Sequence, residues 1–282
     1  MLGPYRDLLK HSAIYGAGQV LSRLASFLLL PVYTSYLRPG DYGVIAILDI
    51  VGNMLGILLA IAITAAVNRY HFEEKDEIKQ SQVWWTGLTF LVITTTAIVV
   101  PLWLGRETLA DLTLGSTVDH GEFYYSLILP TFFFSSLVQL PSSYLRIRKW
   151  SGTFVGITLV RLVFNIGLNV YFLAVLHLGI TGILLGNLIT EGLNALVLLA
   201  ILCSNLRAYK FHLPLLGRLI NFGGPLIITS LLATLMHGAD RFLLRIFLDM
   251  EQVGVYSVAY TIGQGVNSLC LLPFTMIWGV LV

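Results

Sequence analysis

Five groups of ionisable and amide residues stand inside stretches that are otherwise apolar. Arg23 follows Gln19 by one helical turn, and Asn53 follows Asp49 at the same spacing. Arg161, Asn165 and Asn169 recur at i, i+4 and i+8, and Asn187, Glu191 and Asn194 at i, i+4 and i+7. His237, Arg241 and Arg245 form a last row, with Asp240 beside it. On a helix these spacings put the side chains of each group on one face. Arginine binds pairs of phosphate oxygens through its planar fork and keeps its charge when desolvated. Arg23, Arg161 and Arg241 are therefore expected to form a cationic inner surface suited to a phosphate-bearing ligand. The amides Gln19, Asn165 and Asn169 line the same faces. They serve equally well as an interhelical hydrogen-bond seam, at about 0.6–2 kcal/mol per contact, and both readings stay open.

Other chemistries lack their residues. No GxxxxGK phosphate loop and no HExxH pair occurs, and His237 has no second ligand at metal spacing. Cys203 and Cys270 lie 67 residues apart inside apolar runs and read as small hydrophobes. No cofactor and no metal is expected, and the chain is not expected to be an enzyme.

The elements that carry these residues follow from composition. Of 282 residues, 56% are hydrophobic and only 11% are charged, with a mean hydropathy of +0.82. Soluble domains carry roughly 25% charged residues, so an ordinary soluble enzyme and a disordered chain are excluded. A net charge of +2 gives no field for nucleic acid. The expected fold class is all-α integral membrane. A window of about 20 apolar residues yields eight candidate spans, near 12–37, 42–67, 83–104, 123–145, 153–176, 179–203, 219–247 and 253–282. Trp84 and Trp85 at one end of the third span, and Trp103 at the other, are expected in two interfacial belts about 27 Å apart. The longest connection, Gly105 to Glu122, is expected to be a loop. With the N-terminus inside, eleven Lys and Arg fall in cytoplasmic segments and four in outer ones. Lys and Arg accumulate on the cytoplasmic side, so an N-inside topology in the bacterial cytoplasmic membrane is expected.

A repeat runs through this pattern. Tyr36–Val44 recurs in outline as Phe247–Val255, an offset of 211 residues that also puts Gly52 on Gly263 and Asn53 on Gln264. Six spans separate the copies, so both have the same orientation, as in transporters built from parallel repeats. Residues 1–210 are then a first six-helix lobe and 211–282 the beginning of a second. The same offset places His237, Asp240 and Arg241 inside the seventh span. Because the chain stops in the apolar run Trp278–Val282, a longer parent protein is expected. A tight turn near Leu178 makes the fifth and sixth spans antiparallel. Counted outward from that turn, Asn169 and Asn187 are both nine residues away, and Asn165 and Glu191 both thirteen, so the two polar stripes match in depth. Gly182 and Gly186, like Gly52 and Gly56, read as close-packing faces. Pro31, Pro130, Pro141, Pro225 and Pro273 fall in or beside spans, where bends are tolerated.

The stretch Leu28–Gly43, reading LLLPVYTSYLRPGDYG, resembles the opening of bacterial polysaccharide exporters, as does Ala66-Val67-Asn68-Arg69-Tyr70 followed by a charged loop. Asn221–Leu226, Ala239–Leu244 and Val253–Tyr256 resemble that family's middle region. The family is the polysaccharide transport branch, O-antigen flippase type, of the multidrug/oligosaccharidyl-lipid/polysaccharide exporter superfamily. The resemblance implies two six-helix lobes around a central cavity. It also implies that a polyprenyl-diphosphate-linked oligosaccharide is turned across the cytoplasmic membrane for surface polysaccharide, for instance lipopolysaccharide O-antigen. In that setting the diphosphate is expected against Arg23, Arg161 and Arg241, with Asp49 and Glu191 as candidates for proton or sodium coupling. The partners implied are the lipid-linked oligosaccharide, the bilayer and the polysaccharide polymerase machinery, with no nucleic acid. Two alternatives remain in view. A cation-coupled multidrug exporter of the same superfamily would favour an acid-dominated cavity. An integral-membrane glycan ligase or polymerase would need a large outer loop with acid/base residues.

Overall fold

The computed structural model describes residues 31, 33–115, 118–207 and 209–264, with the side chains of residues 53, 55–59 and 237 left aside. Gln19 and Arg23 lie outside the described residues, as do the first span up to residue 30 and the end of the eighth. Among the described residues every regular element is helical. A chain surrounded by hydrocarbon must satisfy its backbone internally, and helices do so within one segment.

The elements are α1 (Pro39–Glu73), α2 (Glu77–Leu104), α3 (Arg106–Thr113), α4 (Gly121–Ile147), α5 (Ser151–Val170), α6 (Gly179–Asn205) and α7 (Leu213–Phe247). Residues 250–264 form α8. Five helices are long and apolar enough to cross a membrane: Glu77–Leu104, Gly121–Ile147, Ser151–Val175, Gly179–Asn205 and Leu213–Met236. The protein is a multi-pass membrane protein, and large side chains such as Ile93, Val160 and Val163 lie on exposed faces as lipid contact requires.

Local chemistry sets the helix ends. The Asp76 carboxylate caps α2 by accepting the Ile78 N–H at 3.0 Å. Pro39 opens α1 at the first helical position, where its missing N–H costs nothing. Helix α5 ends in a π-helical turn, Tyr171–Val175. His177 and Gly179 then take left-handed φ of 52° and 55° and reverse the chain at the turn expected near Leu178. Pro130 and Pro141 lie inside α4, and Pro225 inside α7. Helix α7 continues to Phe247, so Asp240 and Arg241 are helical and not in a loop.

Two expectations are corrected. The connection after the third span contains a helix, α3, whose Thr113 hydroxyl lies 2.7 Å from the Tyr125 hydroxyl of α4. Its Ala110 and Thr113 are buried while Leu112 is exposed, an amphipathic pattern too short to register as a span. Trp84 is not an interfacial residue. It is fully buried, donates its indole N–H to His71 Nδ1 at 3.1 Å, and meets the Tyr144 ring edge-on with centroids 5.1 Å apart. Consecutive helical residues point about 100° apart, so Trp84 turns into the packed face while Trp85 stays half-buried beside Tyr209. Trp103 remains exposed, with the Arg106 guanidinium 4.9 Å from its ring centroid.

The described chain gathers into two compact units. One takes residues up to 46, 148–186 and from 244 on; around Leu37, Leu173 and Ile183 it packs Tyr33, Tyr42 and Ile45. The other takes residues 47–147 and 187–243, with a larger core that includes Ile63, Val67, Trp84, Leu140, Leu202 and Leu219.

Candidate functional site

In the first unit, α5 carries Arg161, Asn165 and Asn169 in one row. Arg161 is exposed, Asn165 half-buried and Asn169 buried, so the row runs from an open surface into close packing. Asn169 Nδ2 donates to Asn165 Oδ1 at 3.1 Å, and the Asn169 amide oxygen packs on Gly186. A Cβ added at Gly182 would come within 2.9 Å of Phe172 Cβ, so both glycines of this pair do form the close-packing face read from their spacing.

In the second unit, α6 buries Thr190, Glu191 and Asn194, with relative exposures of 1%, 9% and 7%. Asn194 Oδ1 has no hydrogen-bond partner among the described residues. In the same unit α1 and α7 cross closely at two glycines. A Cβ added at Gly238 would come within 2.8 Å of Ile50 Cγ2, and one at Gly223 within 3.1 Å of the Ala62 carbonyl oxygen. Ile50 precedes Ala62 while Gly238 follows Gly223, so the two helices run antiparallel. Asp49 is adjacent to Ile50, and Arg241 lies one turn beyond Gly238. The crossing therefore brings the two charges within electrostatic reach of each other. Asp240 is turned to its own backbone, its Oδ1 accepting the Arg241 N–H at 2.9 Å.

The spacing arguments treat Asp49 and Arg241 as separate groups, because no periodicity links residues so far apart. The available signal was Gly238, a small residue one turn from a charge in an apolar helix, which marks where another backbone approaches. Where Gln19 and Arg23 stand relative to this pair lies outside the described residues.

Two further features of the second unit carry polar chemistry that spacing did not single out. His71 is buried near the end of α1 and accepts the Trp84 indole N–H at Nδ1. The connection between α6 and α7 is bound across α2. The Arg207 carbonyl accepts the Trp85 indole N–H at 2.8 Å, and its guanidinium pairs with Glu77 at 2.7 Å. The Tyr209 ring meets Trp85 edge-on, and the His212 N–H donates to Thr86 Oγ1 at 3.2 Å. Among the described residues no cluster of three His, Cys, Asp or Glu side chains is placed to hold a metal ion.

Comparison with known proteins places this arrangement. Residues 34–271 match the family described as polysaccharide biosynthesis protein. A protein of the Lsg locus of Haemophilus influenzae is 24% identical over 254 residues, covering 88% of this chain and 59% of the relative. Among solved structures, the MATE multidrug transporter DinF-BH in complex with R6G superposes with a TM-score of 0.73 at 20% identity, over 93% of this chain and 61% of that one. An inward-facing multidrug resistance MATE family transporter of the MOP superfamily gives a TM-score of 0.69 at 17% identity, over 92% and 60%. The chain thus spans about three fifths of the length of the proteins it matches.

Proposed function

Because the chain belongs to the polysaccharide biosynthesis protein family, in the polysaccharide exporter branch of the MOP superfamily, we propose that it moves a polyprenyl-diphosphate-linked oligosaccharide across the cytoplasmic membrane. The observation that carries the reading is the Asp49–Arg241 pair, an acid and a base brought within electrostatic reach of each other by the α1–α7 crossing. Charged residues within spans are costly and mark substrate and ion pathways. Arg241 offers the forked donor that a diphosphate needs, and Asp49 neutralises it when no substrate is bound. When the diphosphate takes Arg241, Asp49 gives up its counter-charge and is satisfied by a proton or a sodium ion. Arg161, Asn165 and Asn169 extend the polar surface, Arg23 and Gln19 contribute from the first span, and Glu191 is a second coupling carboxylate. The N-terminus faces the cytoplasm, residues 1–210 form the first lobe, and 211–282 begin the second. The partners are the lipid-linked glycan and the polymerase machinery that extends it.

Arg23→Ala, Arg161→Ala and Arg241→Ala, in cells whose surface glycan depends on this gene, test the reading. The expected result is loss of surface glycan with the protein still inserted in the membrane. Normal surface glycan in all three variants would overturn it. Loss of resistance to cationic drugs with intact glycan would assign the chain instead to multidrug export.

A further inference from the structure

The connection between α6 and α7 lies where three spans meet one face of the membrane. The α6 span ends at Asn205, and those of α2 and α7 begin at Glu77 and Leu213. Connecting segments are usually mobile, but this one is fixed at both ends and between them. Leu206 and Leu215 pack against the core of the second unit. Between them the Arg207 carbonyl accepts from the Trp85 indole and, at 3.4 Å, from the Ser81 hydroxyl. The Tyr209 hydroxyl lies 3.3 Å from Thr89 Oγ1, beside the ring contact with Trp85. The His212 N–H is held by Thr86, which is fully buried.

The segment pinned in this way leaves a distinct set of side chains outside. Tyr209, Phe211 and Leu213 are exposed apolar or aromatic groups, and Lys210 and Arg218 are exposed cations. No Asp or Glu occurs between Glu191 and Asp240, so the charges of the segment itself are all basic. The carboxylates at the adjoining ends of α1 and α2 are mostly engaged. Glu73 pairs with Arg69, Glu77 pairs with Arg207, and Asp76 caps α2. Glu74 is left against four exposed cations, Lys75, Lys79, Lys210 and Arg218. Among the described residues neither Lys210 nor Arg218 has an ion-pair partner.

This combination selects its ligand. Aromatic rings settle at the headgroup level of a membrane. A lysine or arginine at that level lays its stem along apolar surface and sends its charge outward. Arg218 stands five residues, about 7.5 Å, along α7 from Leu213, within reach of the same headgroup layer. A free anion would use the cations but not the exposed Phe211 and Leu213. A phospholipid uses both, because it brings a phosphate and hydrocarbon chains together, and a net negative headgroup matches the surplus of cations.

We propose that the α6–α7 connection is a binding site for anionic phospholipid, with Lys210 and Arg218 taking the headgroup and Phe211 and Leu213 lying against the chains. The inference goes beyond the transport reading and does not rest on its substrate.

Native mass spectrometry of the detergent-purified full chain, titrated with phosphatidylglycerol or with zwitterionic phosphatidylcholine, tests it. A cation near an anionic lipid surface contributes about 1 kcal/mol, so two of them give a preference of roughly 30-fold for phosphatidylglycerol. Lys210→Gln and Arg218→Gln should each weaken phosphatidylglycerol binding about fivefold by the same conversion, and leave phosphatidylcholine as it was. Lys210→Arg keeps the charge and should bind as the parent does. Arg106→Gln makes the same charge change at the far end of α2 and should also bind as the parent does. Equal binding of the two lipids by the parent overturns the proposal. So does a loss in Arg106→Gln as large as that in Lys210→Gln, because net charge and not a site then holds the lipid. Glycerol phosphate, the headgroup without its chains, should not displace the lipid at equal concentration. Displacement would assign the cations to a free phosphate ester and overturn the lipid site. Should the glutamine variants fail to reach the membrane, the parent decides by itself. Its phosphatidylglycerol binding must fall when the same titration is made at high ionic strength before transfer to the spectrometer, since exposed charges are screened, and binding indifferent to salt overturns the proposal.

Discussion

Two polar regions of this molecule are built in opposite ways. The row on α5 is local: Asn165 and Asn169 lie four residues apart and bond each other along one helix. The pair at the α1–α7 crossing is distant in sequence, and Asp49 comes within electrostatic reach of Arg241 where glycine lets the two helices approach. The local row is a property of one helix and would persist if its neighbours moved. The crossing is a property of packing, so a change of conformation can make or break it. The proposed transport calls for both kinds, a fixed polar surface and a charge pair whose proximity depends on packing.

The sharpest way to break this contrast is a double-mutant cycle on the distant pair. Asp49→Asn removes the counter-charge of Arg241, and an arginine at the centre of a span costs about 2.5–3.5 kcal/mol on insertion scales. Asp49→Asn with Arg241→Gln should recover part of that loss, with a coupling between about 0.5 and 3 kcal/mol. Unfolding of the detergent-solubilised proteins measures it. Additive effects would mean that the two charges act independently.

The packing that creates the pair comes next in size. Gly238→Ala pushes a methyl group against Ile50, and overpacking of this kind costs about 1–3 kcal/mol. Pairing it with Ile50→Ala, which removes the Cγ2 methyl that the new group meets, should restore part of the stability. Glycan export should fall with Gly238→Ala alone, because the crossing sets the separation of Asp49 and Arg241. A stable Gly238→Ala protein that exports normally would detach the site from the helix crossing.

How much of this was legible in the sequence follows the same divide. Helices α2, α4, α5 and α6 and the turn at Leu178 were readable, because each is encoded by a run of neighbouring residues. The faces shared by Arg161, Asn165 and Asn169 were readable for the same reason. Trp84 was misplaced because an aromatic at the end of an apolar run looks alike whether it faces lipid or a histidine thirteen residues earlier. Helix α3 escaped because eight residues with charges on one side carry no span-length signal. The α1–α7 crossing could not be read from periodicity at all. Periodicity could not show either that Gly43 and Gly254, 211 residues apart, approach each other backbone to backbone.

The local row should prove the weaker of the two regions. Asn169→Ala removes one side-chain hydrogen bond in a buried position, and hydrogen bonds between helices in membranes are worth about 0.6–2 kcal/mol. Unfolding in detergent should show a loss near the lower end, since Asn165 is half-buried and can turn to another partner. A loss larger than that of Gly238→Ala would reverse the ranking and make the α5 row the structural centre.

The smallest effect is expected where a single residue makes one contact of each kind. Arg69 pairs with Glu73 four residues on, at 2.9 Å, both side chains being about half exposed. It also holds its guanidinium 4.5 Å from the ring centroid of Phe222 on α7. Glu73→Gln removes only the local pair, and i, i+4 ion pairs at an exposed surface contribute about 0.3–0.5 kcal/mol. That loss should shrink further in high salt, since the charges are screened. Phe222→Leu keeps the apolar bulk but removes the ring face, and a cation over an aromatic ring contributes about 0.5–1 kcal/mol at an exposed site. It also removes the edge-on contact with Tyr70, whose ring centroid lies 6.5 Å away. Phe222→Leu should therefore cost more than Glu73→Gln, and its effect should be nearly independent of salt. Chemical unfolding at low and high ionic strength separates the two. If Glu73→Gln proves the more damaging, the end of α1 is held by its own helix and not by α7, and the antiparallel pairing of these helices is tight only at its glycines.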